Sequence, residues 1–299
     1  MDVAIIGAGA VGLLTAAHIA KVGGNVTVYT RRKEQAETIN ELGILLIQGQ
    51  AEETIKVNAK PLKGRISERL IILTVKQYHL ESVISMLGEI EKTQSILFLQ
   101  NGMGHVKLLS KLIDDITILL GVVEHGALKR DDRSVEHTGI GKIQLSIYRG
   151  DHSSLDCLQQ LGTSNFPFEH RKDWREMLSN KLAANAVINS LTALYRVQNG
   201  ALIEEPEFYE MMEQVFNEVD DVLQLSKRED TWENILTICE RTAGNTSSML
   251  KDFQMGRKTE LEAILGYLIH TANDKNVNVP ILTFLFKSLK GLEGRFISC

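Results

Sequence analysis

Val3-Ala4-Ile5-Ile6-Gly7-Ala8-Gly9-Ala10-Val11-Gly12-Leu13-Leu14-Thr15-Ala16-Ala17 sets four apolar residues directly ahead of a Gly-x-Gly-x-x-Gly motif and an alanine-rich continuation. An uninterrupted apolar run of this length reads as a strand buried on both faces, the kind found in parallel sheets. The continuation, from Val11 to Val22, has the spacing and length of a helix. Between the two, Gly7 permits a tight turn, Gly9 lets backbone approach a pyrophosphate, and Gly12 allows the helix to pack closely. The helix N-terminus adds free N–H groups and the positive end of its dipole. Gly7, Ala8, Gly9, Ala10, Val11 and Gly12 are therefore the expected phosphate cradle of a dinucleotide site. The motif alone is weak evidence; the strand before it and the helix after it make it specific.

Outward from this stretch, short apolar runs alternate with amphipathic ones. Val26–Tyr29, Leu70–Val75, Ile96–Leu99, Ile116–Val123 and Ile143–Tyr148 read as further strands, and Lys33–Leu42 and Leu80–Glu91 as helices, with Gly43 as a helix stop. That alternation predicts an α/β domain with a Rossmann-type doubly wound sheet. From about Trp174 onward strand signals vanish and long periodic segments follow, at Arg175–Leu194, Glu207–Leu225, Thr231–Thr242, Ser247–Met255, Thr259–Asn273 and Ile281–Leu292. The expected organisation is a dinucleotide-binding domain over residues 1–170 and an all-α substrate domain over 171–299.

Two-domain length, 43% hydrophobic residues and 24% charged residues describe an ordinary globular chain able to bury a core. A formal net charge of −5 excludes a general nucleic-acid or anionic-membrane surface. No apolar run reaches the roughly 20 residues a membrane span requires, and Asp2 stands where a signal peptide would carry basic residues. The three cysteines, Cys157, Cys239 and Cys299, form no CxxC pair, which fits a reducing, cytoplasmic setting and structural or incidental roles. No histidine pairs with another at a metal-ligand spacing, so no metal is expected; His125, after a strand end, reads as structural.

At the end of the second strand an NAD site carries an acid for the ribose hydroxyl. Here Tyr29-Thr30-Arg31-Arg32 stands instead. Paired arginines suit a 2′-phosphate, so NADPH is the expected cofactor, with Arg31 on the phosphate; a solvated basic loop is the plainer alternative. Val75-Lys76-Gln77 and Leu99-Gln100-Asn101-Gly102-Met103-Gly104 follow the next two strand ends, the edge at which open α/β sheets bind ligands. Lys76 and Asn101 are therefore expected to contact cofactor, although an Asn-Gly pair alone is more often a turn.

In the second half, Lys181, Asn185 and Asn189 recur every four residues in an otherwise apolar stretch and so share one helix face. Such a stripe inside a protein needs polar partners. A polar substrate in a cleft would supply them; hydrogen bonds to neighbouring backbone, with Lys181 reaching water, are the alternative. A lysine ammonium beside a ketone could stabilise and protonate the oxyanion that hydride transfer creates. Glu260 lies near a helix start, where an acid usually complements the helix dipole, and Ser247, just before Ser248, reads most simply as a cap.

Together these segments resemble the ketopantoate reductase family over essentially the whole chain. The likeness rests on GAGAVG at 7–12, VKQ at 75–77, LQNGMG at 99–104, HTGIG at 137–141, KLAANAVINSLTAL at 181–194, NG at 199–200 and SSMLKDFQMGRKTELEAILGY at 247–267. The resemblance implies NADPH-dependent reduction of 2-ketopantoate to pantoate for pantothenate and coenzyme A. It implies Lys181 as general acid, Asn185, Asn189 and Ser248 on the substrate's polar groups, and Glu260 on substrate and lysine. It also implies Asn101 bridging cofactor and substrate, and Asn199 as a further substrate contact. Ser190 stands where the family usually has proline and should leave the helix straighter there. Another small 2-keto acid as substrate, or a non-catalytic NADPH sensor, are the competing readings; a homo-oligomer is compatible with the helical half.

Overall fold

A computed structural model describes residues 1–87, 90–112 and 115–297. The chain divides into two compact units: residues 1–100 with 105–177, and residues 101–104 with the chain from Leu178 onward. The second division falls inside a helix, several residues beyond the boundary expected near residue 170.

The first unit opens with β1 (Asp2–Ile6), α1 (Ala10–Lys21), β2 (Asn25–Thr30), α2 (Lys33–Leu42), β3 (Ile44–Gln48), β4 (Ala51–Ile55), β5 (Asn58–Pro61), β6 (Leu70–Leu73), α3 (Gln77–Met86) and β7 (Ser95–Phe98). A 3-10 segment, Gly104–Lys111, leads to β8 (Thr117–Val123), β9 (Gly126–Lys129), β10 (Ser134–Gly139), β11 (Ile143–Arg149), α4 (Ser153–Gln160) and β12 (Phe168–His170). The helix expected over Leu80–Glu91 is observed as α3, which starts earlier and ends at Met86, with 90–91 not helical; positions 88 and 89 lie outside the described residues, as does Cys299.

Eight strands form the main sheet in the order β12-β11-β8-β7-β6-β1-β2-β5. All pairings are parallel except β11 with β8. Val3–Ile6 are fully buried because β1 lies between β2 and β6, with Val3 opposite Val26 on one side and Leu70 on the other. The strand order turns around between β1 and β6, the switch point at which open α/β sheets bind ligands.

A second sheet, β4-β3-β10-β9, is not visible in the sequence pattern. Its strands are short and β4 is exposed except for Ile55, so only β3, with Ile44–Ile47, carries an apolar run, and the strands it pairs with do not announce themselves. Its β9 and β10 pack on α1. Sheet on one side and hairpin on the other explain why α1 is buried from Gly12 through Ile19 rather than amphipathic.

The second unit is helical. It continues from α5 (Trp174–Ala184), which the two units share, through a π-helical turn (Asn185–Asn189) and α6 (Ser190–Tyr195) to α7 (Ala201–Glu204), α8 (Pro206–Leu223) and α9 (Arg228–Arg241). Then come α10 (Ser248–Gln254), a second π-helical turn (Glu262–Gly266), α11 (Tyr267–Lys275) and α12 (Pro280–Ile297). Ahead of Ser190 the chain widens into a π turn over five residues, and the Ser190 N–H donates to the Val187 carbonyl. No helix among the described residues is long and apolar enough to cross a membrane.

Candidate active site

In the first unit the glycine-rich loop is held from below. Thr74 donates its hydroxyl to the carbonyls of Ile6 (3.1 Å) and Gly7 (2.9 Å), and the Gly7 N–H donates to Tyr29 O (2.9 Å). Gly7 has φ +111, which L side chains rarely adopt. A Cβ added to Gly12 would lie 1.9 Å from Gly7 O and 2.6 Å from Thr74 Oγ1. One added to Gly9 would meet no atom within 4 Å, so the loop's outer side is open at the residue that caps α1. No side chain caps that helix start, which leaves its first N–H groups for an anion. The residues present thus fit a dinucleotide pyrophosphate. Gly12→Ala is expected to lower stability by about 1–3 kcal/mol through overpacking and to abolish dinucleotide binding, checked by thermal unfolding and a fluorescence titration.

Around this loop the second strand ends in two differently placed arginines. Arg31 is exposed and makes no side-chain hydrogen bond or ion pair among the described residues. Arg32 pairs with Asp132 on the β9–β10 turn. The Ala8 carbonyl accepts from Gln35 Nε2 (3.0 Å) and Lys129 Nζ (3.1 Å). Lys76, half-buried, immediately precedes α3 at the end of the β6 connection. Gln100 Nε2 donates to Leu73 O (2.9 Å) and Val75 O (3.1 Å), which ties the ends of β6 and β7 together. Thr74, Gln35, Gln100, Lys129 and Asp132 were not expected from the sequence: their partners lie far away along the chain, and no local motif marks them.

The second unit gathers five of the predicted residues into one row. Asn101 Nδ2 donates to Glu260 Oε2 (2.8 Å), and Asn101 Oδ1 accepts from Asn185 Nδ2 (3.4 Å). Asn189 Nδ2 then reaches Asn185 Oδ1 (3.3 Å) and Ser248 Oγ (3.4 Å). Lys181 stands four residues before Asn185 on α5 and is half-buried. The amide–amide contacts at 3.3–3.4 Å exceed the usual hydrogen-bond length. Such weak mutual bonds are readily exchanged for those of a polar ligand.

Local chemistry explains how the row is presented. Asn185 and Asn189 bracket the first π turn, which packs against the second, beginning two residues after Glu260. Single π turns inside α-helices recur at functional sites. Ser247 caps α10, accepting from Leu250 N (3.3 Å), and so places Ser248 at the helix start. Before Glu260, the Thr259 N–H and hydroxyl both donate to the buried Glu293 carboxylate (2.7 Å each) on α12, another residue the sequence did not single out.

Asn199 stands apart from the row. Its Nδ2 donates to Thr242 Oγ1 (2.8 Å) and its N–H to Asn245 O (3.1 Å), while its Oδ1 is buried without a partner among the described residues. His125 joins a buried chain of rings rather than a ligand site. Among the described residues no group of histidines, cysteines and acids is arranged to hold a metal ion. Cys157 and Cys239 carry free thiols, and burial pushes Cys239 up to about 12, which makes it a poor nucleophile.

Known proteins share both halves of this arrangement. The family described as "Ketopantoate reductase PanE/ApbA" matches residues 3–150, and "Ketopantoate reductase PanE/ApbA C terminal" matches 173–293. The chain is 42% identical to the 2-dehydropantoate 2-reductase of Bacillus subtilis over 98% of both proteins. It is 40% identical to that of Listeria innocua, over 98% of this chain and 97% of the other. The crystal structure of a probable 2-dehydropantoate 2-reductase from Bacillus subtilis superposes with a TM-score of 0.88 at 41% identity, covering 98% of this chain and all of that one. With both family regions matched in order and these relatives aligned nearly end to end, the chain belongs to the ketopantoate reductase family.

Proposed function

We propose that this oxidoreductase reduces 2-dehydropantoate (2-ketopantoate) to (R)-pantoate with NADPH, in the supply of pantothenate and coenzyme A, and that Lys181 is its general acid. The row Glu260–Asn101–Asn185–Asn189–Ser248, with Lys181 one turn earlier on the same helix, is the observation that carries this reading. Bound NADPH would supply the hydride that reduces C2 of the keto acid.

The chain's own residues account for the rest. The Gly7–Gly12 loop and the α1 N-terminus would hold the pyrophosphate, with Arg31 on the 2′-phosphate and Lys76 on the cofactor. As C2 gains a hydride its oxygen gains negative charge, and the Lys181 ammonium would stabilise that oxygen and then transfer a proton to it from Nζ. The result is the hydroxyl of pantoate and a neutral lysine, reprotonated by water before the next turnover. Asn185, Asn189 and Ser248 would hold the substrate's carboxylate and hydroxyl, Glu260 would orient substrate and lysine, and Asn101 would link cofactor and substrate. Asn199 would be a further substrate contact, with Nδ2 held by Thr242 and Oδ1 left to accept a hydrogen bond.

Turnover of 2-ketopantoate, pyruvate and 2-ketoisovalerate, each with NADPH and with NADH, tests the reading. The expected result is a kcat/KM highest for 2-ketopantoate with NADPH. Preference for another keto acid would overturn the substrate, and cofactor binding without any turnover would make the protein a sensor.

A further inference from the structure

The hairpin of the second sheet reaches back to the nucleotide loop. Lys129, the last residue of β9, places Nζ 3.1 Å from Ala8 O and 3.6 Å from Asp132 Oδ1. Asp132 also pairs with Arg32, and its own carbonyl accepts from Gln35 Nε2 at 2.8 Å. The turn that carries it is fixed by Asp131, whose carboxylate accepts from the N–H of Arg133 (2.9 Å) and from the N–H (2.7 Å) and hydroxyl (2.8 Å) of Ser134. Lys129 is thus a fixed side chain beside the loop rather than a mobile surface lysine.

Charge at this place is unbalanced. Arg31, Arg32, Lys129 and Arg133 contribute four positive charges and Asp131 and Asp132 two negative charges, which leaves a surplus of two matching a dianionic phosphate monoester. Lys129 is also the least exposed of the ion-paired group, its side chain 27% accessible against 48% for Arg32 and 36% for Asp132. Burial holds its ammonium below the usual lysine range despite Asp132 nearby, so an anion arriving there would relieve an existing strain on the charge. An ammonium has three N–H donors. One is used on Ala8, and at 3.6 Å the Asp132 contact is longer than a hydrogen bond.

We infer that Lys129 is a specificity-determining residue that binds the adenosine 2′-phosphate of NADPH together with Arg31. The inference rests on the NADPH reading above and deepens it. Asp132 acts as the counter-ion that keeps Lys129 and Arg32 in place when no phosphate is bound. Rigid placement on a second sheet is what distinguishes this cation from the exposed Arg31, because no ordering of the side chain is needed on binding.

Calorimetric titration of the full chain with NADPH, NADH, 2′,5′-ADP and 5′-ADP tests this, for wild type, Lys129→Met, Lys129→Arg and Arg31→Ala. Lys129→Met is expected to weaken NADPH and 2′,5′-ADP at least about tenfold while NADH and 5′-ADP stay within about twofold. Lys129→Arg is expected to retain the preference, and supplies the answer if the methionine variant does not fold. Equal weakening of NADPH and NADH would make Lys129 a support of the Ala8 loop and overturn the inference. A preference kept in Lys129→Met but lost in Arg31→Ala would overturn the inference and leave the NADPH reading standing. Equal wild-type affinity for NADPH and NADH would overturn both.

Discussion

Lys181→Ala is expected to lower kcat for 2-ketopantoate by about 10²–10⁴, the range of general acid catalysis, while NADPH affinity stays at the wild-type value. The two halves of this result have separate physical causes. Under the proposed mechanism the proton and the positive charge that the developing oxyanion requires would both come from Nζ, so their loss would raise the barrier for the chemical step. The nucleotide loop belongs to the other compact unit and rests on Thr74, Gln35 and Lys129. Lys181→Arg separates the two contributions: the guanidinium keeps the charge but does not release a proton in this pH range. Its KM should stay closer to wild type while kcat remains low. Steady-state kinetics with a parallel NADPH titration checks this, and a kcat for Lys181→Ala within about threefold of wild type would assign the proton to another group.

Acid unfolding well above the carboxylate range is the second large effect expected. His137 in the first unit lies 3.3 Å from His18 through Nδ1 and 3.0 Å from His125 through Nε2, and His18 and His125 both stack on the buried Phe166 at 4.3 Å. His125 Nδ1 also accepts from the Gly141 N–H (3.1 Å), so its own proton belongs on Nε2, which is buried without a partner among the described residues. Burial first, and then the charge of His137, lowers His18 to about 4 and His125 to about 3. Burial alone lowers His105, 1% exposed and stacked on Phe98, to about 4.

The sign follows from linkage. In the unfolded chain these rings take up protons near pH 6.5, in the fold only below about 4, so between these values the unfolded state binds more protons and stability falls with falling pH. Each ring contributes up to about 1.4 kcal/mol per pH unit, and three together up to about 4 kcal/mol. Against a typical total of roughly 5–15 kcal/mol, unfolding is expected near about pH 5. Denaturant unfolding between pH 7.5 and 4.5 checks it. His105→Leu should raise stability and make the pH dependence shallower by one proton; an unchanged slope would remove His105 from the account.

How far the sequence reaches depends on whether a feature is local. The apolar run at β1, the three glycines and the alanine-rich α1 are contiguous, so turn, cradle and helix could be read directly. The stripe at 181, 185 and 189 was legible because helical spacing brings those residues onto one face. The π turn within that stripe was not, since it arises from packing against the second π turn, seventy-odd residues later, rather than from the residues it contains. Asn101 and Glu260 were each singled out, but their 2.8 Å contact spans the chain from β7 to the second π turn and no local pattern predicts it. The small sheet escaped because exposed, short strands such as β4 carry no apolar alternation. With it escaped Lys129 and Asp132, whose partners Ala8 and Arg32 lie at the other end of the unit.

Following the hydride itself tests the proposed reduction of 2-ketopantoate. Purified protein is given 2-ketopantoate and NADPH dideuterated at C4, and the product is resolved by chiral chromatography and mass spectrometry. The expected product is (R)-pantoate carrying a single deuterium at C2, one molecule for each NADPH oxidised. NADPH left unoxidised, or deuterium appearing only when a different keto acid is supplied, would contradict it.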